Sequence, residues 1–288
     1  MSVLAQDNDP RMTLGPTGAP ERQAGGSDPV LEARQITVRF GGVVALNHVD
    51  LAVPSGTVVG LIGPNGAGKS TLLAALSGFL RPTEGTVLTD GTDITQRSAH
   101  WRARSGIARS FQHPEMVAEL TVEDHLRLAC RMHDTPSRLW SDMIVWRGLR
   151  GSSSESEDES VQSILDLLDL HDVRHRLPSS LSLGTCRMVE LARSLITDPQ
   201  VLLLDEPASG LDAGSRKRLP GVLRSVVADG RQSLLLVEHD VDLVMNVCDV
   251  VHVLNFGEVV AVGAPHEVQS DAAVQEAYLG APNLEHVS

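Results

Sequence analysis

Apolar residues fall in three patterns along this chain, and each predicts a different element. Short continuous runs occur at TVVGLI (57–62), VLLLD (201–205) and SLLLVE (233–238). Strands buried on both faces read this way, since neither face needs polar residues. LEARQITVRF (31–40) and ALNHVDLAV (45–53) alternate instead and are joined at Gly41–Gly42, which predicts an antiparallel β layer. VVHVLNFGEVVAVG (250–263) predicts a hairpin turned at Asn255–Gly257. Helices are expected over 69–77 and over 121–133, the latter capped at Thr121. Met188, Val189, Leu191, Ala192 and Leu195 repeat at helical spacing. So do Leu139, Trp140, Met143 and Ile144, ahead of an acidic run, GSSSESEDES, that reads as a solvated loop. Strands alternating with helices argue for a mainly parallel α/β sheet. Pro220 lies inside an expected helix and should break or kink it.

Residues 1–29 are rich in Asp, Gly, Pro, Gln and Ser without periodicity and are expected to be a disordered tail. With 288 residues and 42% hydrophobic content, one large domain can form, and 3% aromatics make its core aliphatic. The net charge of −13 repels phosphate backbones, which argues against a nucleic-acid partner. Cys130, Cys186 and Cys248 form no CxxC pair and read as buried thiols in a reducing compartment. No apolar run approaches the ~18 residues of a membrane span, so a cytosolic protein docking on a membrane partner is expected.

Chemistry concentrates at five places. Gly63, Pro64, Asn65, Gly66, Ala67, Gly68, Lys69, Ser70 and Thr71 fit G-x-x-x-x-G-K-[ST]. Glycines let backbone N–H groups surround phosphate oxygens; Lys69 would reach the β/γ-phosphates and Ser70 would ligate Mg²⁺. VLLLDEP places Asp205 at the carboxyl end of a buried strand, the edge where α/β sheets bind ligands. There Asp205 is expected to hold Mg²⁺ through water, and Glu206 to orient or deprotonate the attacking water. SLLLVEHD repeats the pattern with His239, a candidate γ-phosphate sensor. Gln112, after the apolar run in IARSFQ, is a candidate for both Mg²⁺ and the water. The fifth place, SSLSLGTCRMVELARSL (179–195), opens a helix with small polar residues and so offers a second anion site. One nucleotide does not need two.

GPNGAGKST, FQ, LSLGT, VLLLDEPASGLD and VEHD, in this order, resemble the ATP-binding cassette of ABC transporters from about Val30 to Gly280. The resemblance implies a P-loop NTPase with a RecA-like core, an N-terminal antiparallel β layer and an inserted helical subdomain. It divides the chain into a tail (1–29), a nucleotide-binding domain (30–282) and a short end (283–288). The helical subdomain spans about 113–197, with an insertion at about 133–160. It makes Gln112 the Q-loop residue, Asp205 the Walker B Asp, Glu206 the catalytic Glu, His239 the switch His and Phe40 the aromatic that stacks on adenine. Ser209, Gly210, Leu211 and Asp212 become the D-loop.

The resemblance also explains the second anion site. LSLGT stands in the place of LSGGQ, and in these cassettes the signature of one copy caps the ATP on the P-loop of another. Ser182 and Gly184 are then the γ-phosphate contacts. Leu183 and Thr185 depart from the pattern, and the shorter Thr185 loses reach toward the ribose.

RFGGVVALNHVDL, GIARSFQHPEMVAELTVEDHL and AYLG resemble ATP-binding subunits of branched-chain amino acid importers; urea and short-chain amide importers share much of this. The implied partners are a second cassette, alike or different, transmembrane permease subunits and, indirectly, an extracytoplasmic substrate-binding protein. The implied place is the cytoplasmic face of the membrane. A soluble non-transport cassette ATPase is the alternative from another class, disfavoured by the acidic charge. A non-hydrolysing subunit beside an active paralogue is a third reading, opposed by the presence of Lys69, Asp205, Glu206 and His239. In either hydrolytic reading, Lys69→Ala should abolish nucleotide binding; a titration with fluorescent ATP showing normal affinity would remove the loop from the site.

Overall fold

The computed structural model describes residues 29–110, 116–134, 155–272, 274 and 275. Of the expected tail at 1–29, Pro29 opens the first strand; the rest of it, the Gln112 segment, the helix at Leu139–Ile144 and the end beyond 275 lie outside the described residues.

β1 (Pro29–Phe40) and β2 (Val43–Pro54) pair antiparallel, as the alternation predicts, with Phe40 opposite Val43 across the Gly41–Gly42 turn. They join β4 (Glu84–Thr89) and the short β5 (Thr92–Asp93) in a four-stranded sheet, ordered β2-β1-β4-β5. The second sheet holds the continuous apolar runs as β3 (Val58–Ile62), β7 (Val201–Asp205) and β8 (Ser233–Val237), joined by β6 (Ile107–Arg109), β9 (Val250–Asn255) and β10 (Glu258–Gly263). Its order is β10-β9-β3-β8-β7-β6. Every pair is parallel except the predicted β9–β10 hairpin at one edge.

Every residue of β3, β7 and β8 is buried. Successive side chains of a strand point to opposite faces, so each run feeds two cores. Leu202, Leu204, Leu234 and Leu236 enter one, with α5 (Leu183–Leu195), α6 (Ala213–Val227) and α7 (Val241–Val247). Val201, Leu203, Leu235 and Val237 enter the other, with the antiparallel sheet and α1 (Lys69–Ser77). Burial of each such side chain contributes about 1.5–3 kcal/mol, so the alternation fixes which face each strand residue takes.

Four further α-helices belong to the described fold: α2 (Ala99–Arg104), α3 (Val122–Asp134), α4 (Glu155–Leu168) and, at the end, α8 (Pro265–Ser270). Thr121 caps α3 as expected: its hydroxyl accepts from Asp124 N, while Asp124 Oδ2 accepts from Thr121 N at 3.1 Å. The acidic run departs from expectation, since Glu155–Ser160 form the first turns of α4 rather than a loop. Glu157 is buried there, accepting from Arg127 and Arg131 on α3. Acidic residues in a first turn also complement the helix dipole.

Pro220 does not break its helix, which runs from Ala213 to Val227. The carbonyl that proline leaves without a donor belongs to Arg216, on the exposed face. Leu219, Leu223, Val226 and Val227 hold the buried face in the core. Of the cysteines only Cys248 is buried; burial pushes its thiol up to about 12, whereas Cys130 and Cys186 are half-buried.

Arg102, 1% exposed, fastens the far end of α1. Its Nη1 donates to Ala75 O (2.8 Å) and Leu76 O (2.7 Å), its Nη2 to Ile94 O and Thr95 O, and its Nε to Arg97 O. Helices end with carbonyls that lack intrahelical donors, and here one guanidinium supplies them from inside the core. Burial lowers its pKa to about 10, still charged at neutral pH. Arg102→Met removes the guanidinium from all five carbonyls, leaving Ala75 O and Ile94 O only their backbone donors Gly78 N and Arg97 N, and should cost about 3–5 kcal/mol, read as a lower urea midpoint with unchanged slope.

Candidate functional site

All parallel strands of the second sheet end at one edge, and the polar residues that follow them collect there. β3 runs into the Gly63–Gly68 loop, which opens α1. Gly63 cannot carry a side chain, because a Cβ would stand 2.0 Å from the Leu254 carbonyl oxygen of β9. Lys69 is 6% exposed; its Nζ donates to Gly63 O at 2.7 Å and Pro64 O at 3.1 Å, bracing the loop from within. Burial lowers its pKa, and the Glu206 and Asp205 charges oppose that shift. Asn65, Gly66 and Ser70 are exposed, while Thr71 is half-buried on the first turn.

Asp205 shares parity with Val201 and Leu203, so it leaves β7 on the side of α1 and Lys69. It is 3% exposed, and burial raises its pKa against the lowering effect of Arg109. Arg109, at the end of β6, donates to Asp205 Oδ2 and to Ser77 Oγ on α1, both at 3.2 Å. Asp205 Oδ1 is buried with no hydrogen-bond partner among the described residues. A buried carboxylate oxygen left without a donor fits a cation ligand, directly or through water. A carboxylate and a hydroxyl are hard oxygen donors, and Mg²⁺ is usually held by one or two such groups plus phosphates.

Glu206 has a positive φ of 52°. A left-handed backbone costs a non-glycine residue about 1–2 kcal/mol. Four bonds hold it there: its N–H donates to Val237 O (2.9 Å), its carbonyl accepts from Arg187 Nη1 (3.0 Å) and Ser209 N (3.1 Å), and its Oε1 lies 2.6 Å from His239 Nε2. A hydrogen bond from a charged donor is worth about 1.5–3 kcal/mol, so the Arg187 contact alone is of the size the strain requires. Glu238, buried after β8, accepts from Ala208 N (2.8 Å) and His239 N (3.0 Å), fixing the loops that carry Glu206 and His239.

Phe40, Ser182, Gly184 and Asp212 stand on β1, at the start of α5 and at the cap of α6. Phe40 is 52% exposed at the end of β1. Ser182 caps α5, accepting from Thr185 N at 3.1 Å, with the Thr185 hydroxyl 2.8 Å from its own. Gly184 is buried against the segment after β7, and a Cβ there would lie 2.8 Å from Gly210 O. Asp212 caps α6 through Ser215, and those bonds lower its pKa. Gln112 lies outside the described residues. Lys69, Asp205, Glu206 and His239 are thus brought to one edge. The α5 start instead packs on the Ser209–Asp212 segment. Sequence reasoning missed Arg109 and Arg187; long side chains spanning two elements leave no spacing signal.

This edge defines a P-loop nucleotide site on a cassette-type α/β fold. Residues 46–209 match the family model described as ABC transporter, and 258–282 match that of the branched-chain amino acid ATP-binding cassette transporter. The chain belongs to the ABC transporter ATP-binding family, whose general activity is ATP hydrolysis. It is 35% identical over 254 residues to the high-affinity branched-chain amino acid transport ATP-binding protein LivG of Escherichia coli K12, covering 88% of this chain and 99% of the relative. The corresponding protein BraF of Pseudomonas aeruginosa PAO1 matches with the same identity and coverage. A cassette of an ABC transporter solved in its ADP conformation superposes with a TM-score of 0.75 at 32% identity, covering 88% of this chain and 100% of that one.

Gly63→Ala should lose about 3 kcal/mol of stability through the backbone clash. Gly66→Ala, where a Cβ meets nothing within 4 Å, should lose about 1 kcal/mol from its positive φ alone. Urea unfolding of the two variants separates clash from conformation.

Proposed function

We propose that this chain is the ATP-hydrolysing subunit of an importer for branched-chain amino acids, working with separate permease subunits. The observation that carries the hydrolytic reading is the convergence of Lys69, Asp205 and the Glu206–His239 pair on one sheet edge. The substrate class rests on the likeness to LivG and BraF and on the match of residues 258–282. Those matches favour branched-chain amino acids over urea or short-chain amides. Among the described residues no helix is long and apolar enough to cross a membrane. We place the chain peripherally, on permease subunits at the cytoplasmic face, with an extracytoplasmic binding protein as an indirect partner.

In this reading Phe40 stacks on adenine, and the N–H groups of Gly63–Thr71 surround the phosphates. Lys69 turns from its own loop carbonyls to the β/γ-phosphates. Ser70, Asp205 and Gln112 would hold Mg²⁺, which would supply charge neutralisation at the phosphates. Glu206 accepts a proton from water as the water oxygen bonds to the γ-phosphorus; the bond to the β–γ bridging oxygen breaks and ADP leaves. His239, 2.6 Å from the Glu206 carboxylate, orients that group and meets the γ-phosphate. Ser182, Gly184 and Thr185 face the nucleotide of a second cassette, and Asp212 lines the same junction. ATP would then close a head-to-tail pair, and hydrolysis would release it.

Glu206→Gln should lose turnover about 10²–10⁴-fold with ATP binding retained. Light scattering of that variant should show monomer becoming dimer on addition of ATP and Mg²⁺. Unchanged hydrolysis would remove Glu206 from the chemistry. A chain that binds ATP yet stays monomeric would mean that LSLGT pairs with a different cassette.

A further inference from the structure

Arg187 stands on α5, five residues after Ser182, and its side chain leaves that helix for the segment after β7. We propose that Arg187 is a positioning residue for hydrolysis: its bond to the Glu206 carbonyl holds Glu206 in the left-handed backbone that aims the carboxylate at His239. The inference rests on Glu206 being the general base.

Several observations converge on it. Glu206 is one of few non-glycine residues with positive φ, and the only one among the candidate site residues described. Backbone strain at such a position persists only where surrounding groups over-determine it. Its amide is fixed by β8, through Val237 O, and its carboxylate meets the residue that follows β8 by two positions. Both anchors come from the β8 side, as does Glu238, which accepts from Ala208 N further along the turn, and none of the three holds the Glu206 carbonyl. That carbonyl accepts from Arg187 Nη1 at 3.0 Å and from Ser209 N at 3.1 Å. The Ser209 bond is local to the turn and moves with it. Arg187 is the partner that comes from another element, so it sets the turn against α5. Gly184 strengthens the frame, because its missing side chain lets the start of α5 rest on Gly210.

The consequence is a link between two functions of one chain. The start of α5 carries LSLGT, proposed above to meet a neighbour's nucleotide, while Glu206 serves the chain's own. Arg187 lies between them, so a shift of α5 is passed to the base through one guanidinium.

The test uses the purified full chain and three variants. Arg187→Met removes the donor and keeps the stem, and Arg187→Lys keeps a cationic donor. Glu206→Gln, measured first, decides whether the underlying reading stands. With that variant inactive, Arg187→Met should lower kcat roughly 10- to 100-fold, the scale of a misplacement of about 1 Å. KM for ATP and ATP affinity should hardly change, because what is lost is the contact Glu206 makes to the attacking water in the transition state, and the melting temperature should fall by only a few degrees, about the size of one lost charged hydrogen bond less the strain it held. Arg187→Lys should recover most of kcat. The inference is overturned if Arg187→Met keeps wild-type kcat, if kcat, ATP affinity and melting temperature fall together, or if the Lys variant is as slow as the Met variant. Wild-type turnover in Glu206→Gln would overturn the general-base reading itself, and this inference with it.

Discussion

The structure depends on burying three short strands on both faces at once. β3, β7 and β8 have no polar side to turn to water, so they must lie inside a sheet covered on both faces. They also lie parallel, with β8 between β3 and β7. Their carboxyl ends then share one edge, and the first residues able to be polar come immediately after them. Lys69, Asp205, Glu206 and His239 meet there because the three runs end there. The site is a by-product of where the apolar runs stop.

That placement sets opposing electrostatic demands. Asp205 and Lys69 are nearly out of water, and burial disfavours the charged form of each. The opposite charges across the edge offset part of that cost: Arg109 beside Asp205, and the Asp205 and Glu206 carboxylates toward Lys69. An edge balanced this way suits a ligand that brings both phosphate and cation, since each side of the balance has a new partner in it. Glu206, more exposed than Asp205 and paired to His239, stands apart from this buried set and nearer to solvent.

Two buried or half-buried arginines do comparable work in different places. Arg102 gathers carbonyls at the end of α1, so the helix that begins at the P-loop is fixed at its far end. Arg187 takes a carbonyl across from α5 to the turn after β7. In both, a rigid fork of donors replaces backbone partners that the chain geometry cannot supply. This chain has only two lysines, Lys69 and Lys217, so its other basic contacts fall to arginine.

The sequence by itself determined the elements whose signal is local. Continuous runs marked the central strands, alternation marked β1 and β2, and G-x-x-x-x-G-K-S marked the loop and the helix at Lys69–Ser77. It also marked Asp205, Glu206 and His239, because a polar residue ending a buried run needs no tertiary information to stand out. Periodicity misjudged two segments. Composition made GSSSESEDES a loop, but Arg127 and Arg131 draw Glu157 into a helix. Pro220 looked like a break, but the apolar face of α6 is worth more than one carbonyl that water can satisfy. The left-handed backbone of Glu206, the reach of Arg187 and Arg109, and the seat of Gly184 on Gly210 were decided by tertiary structure alone. Each depends on how far apart two elements come to rest, and a one-dimensional pattern carries no distance between residues remote in the chain.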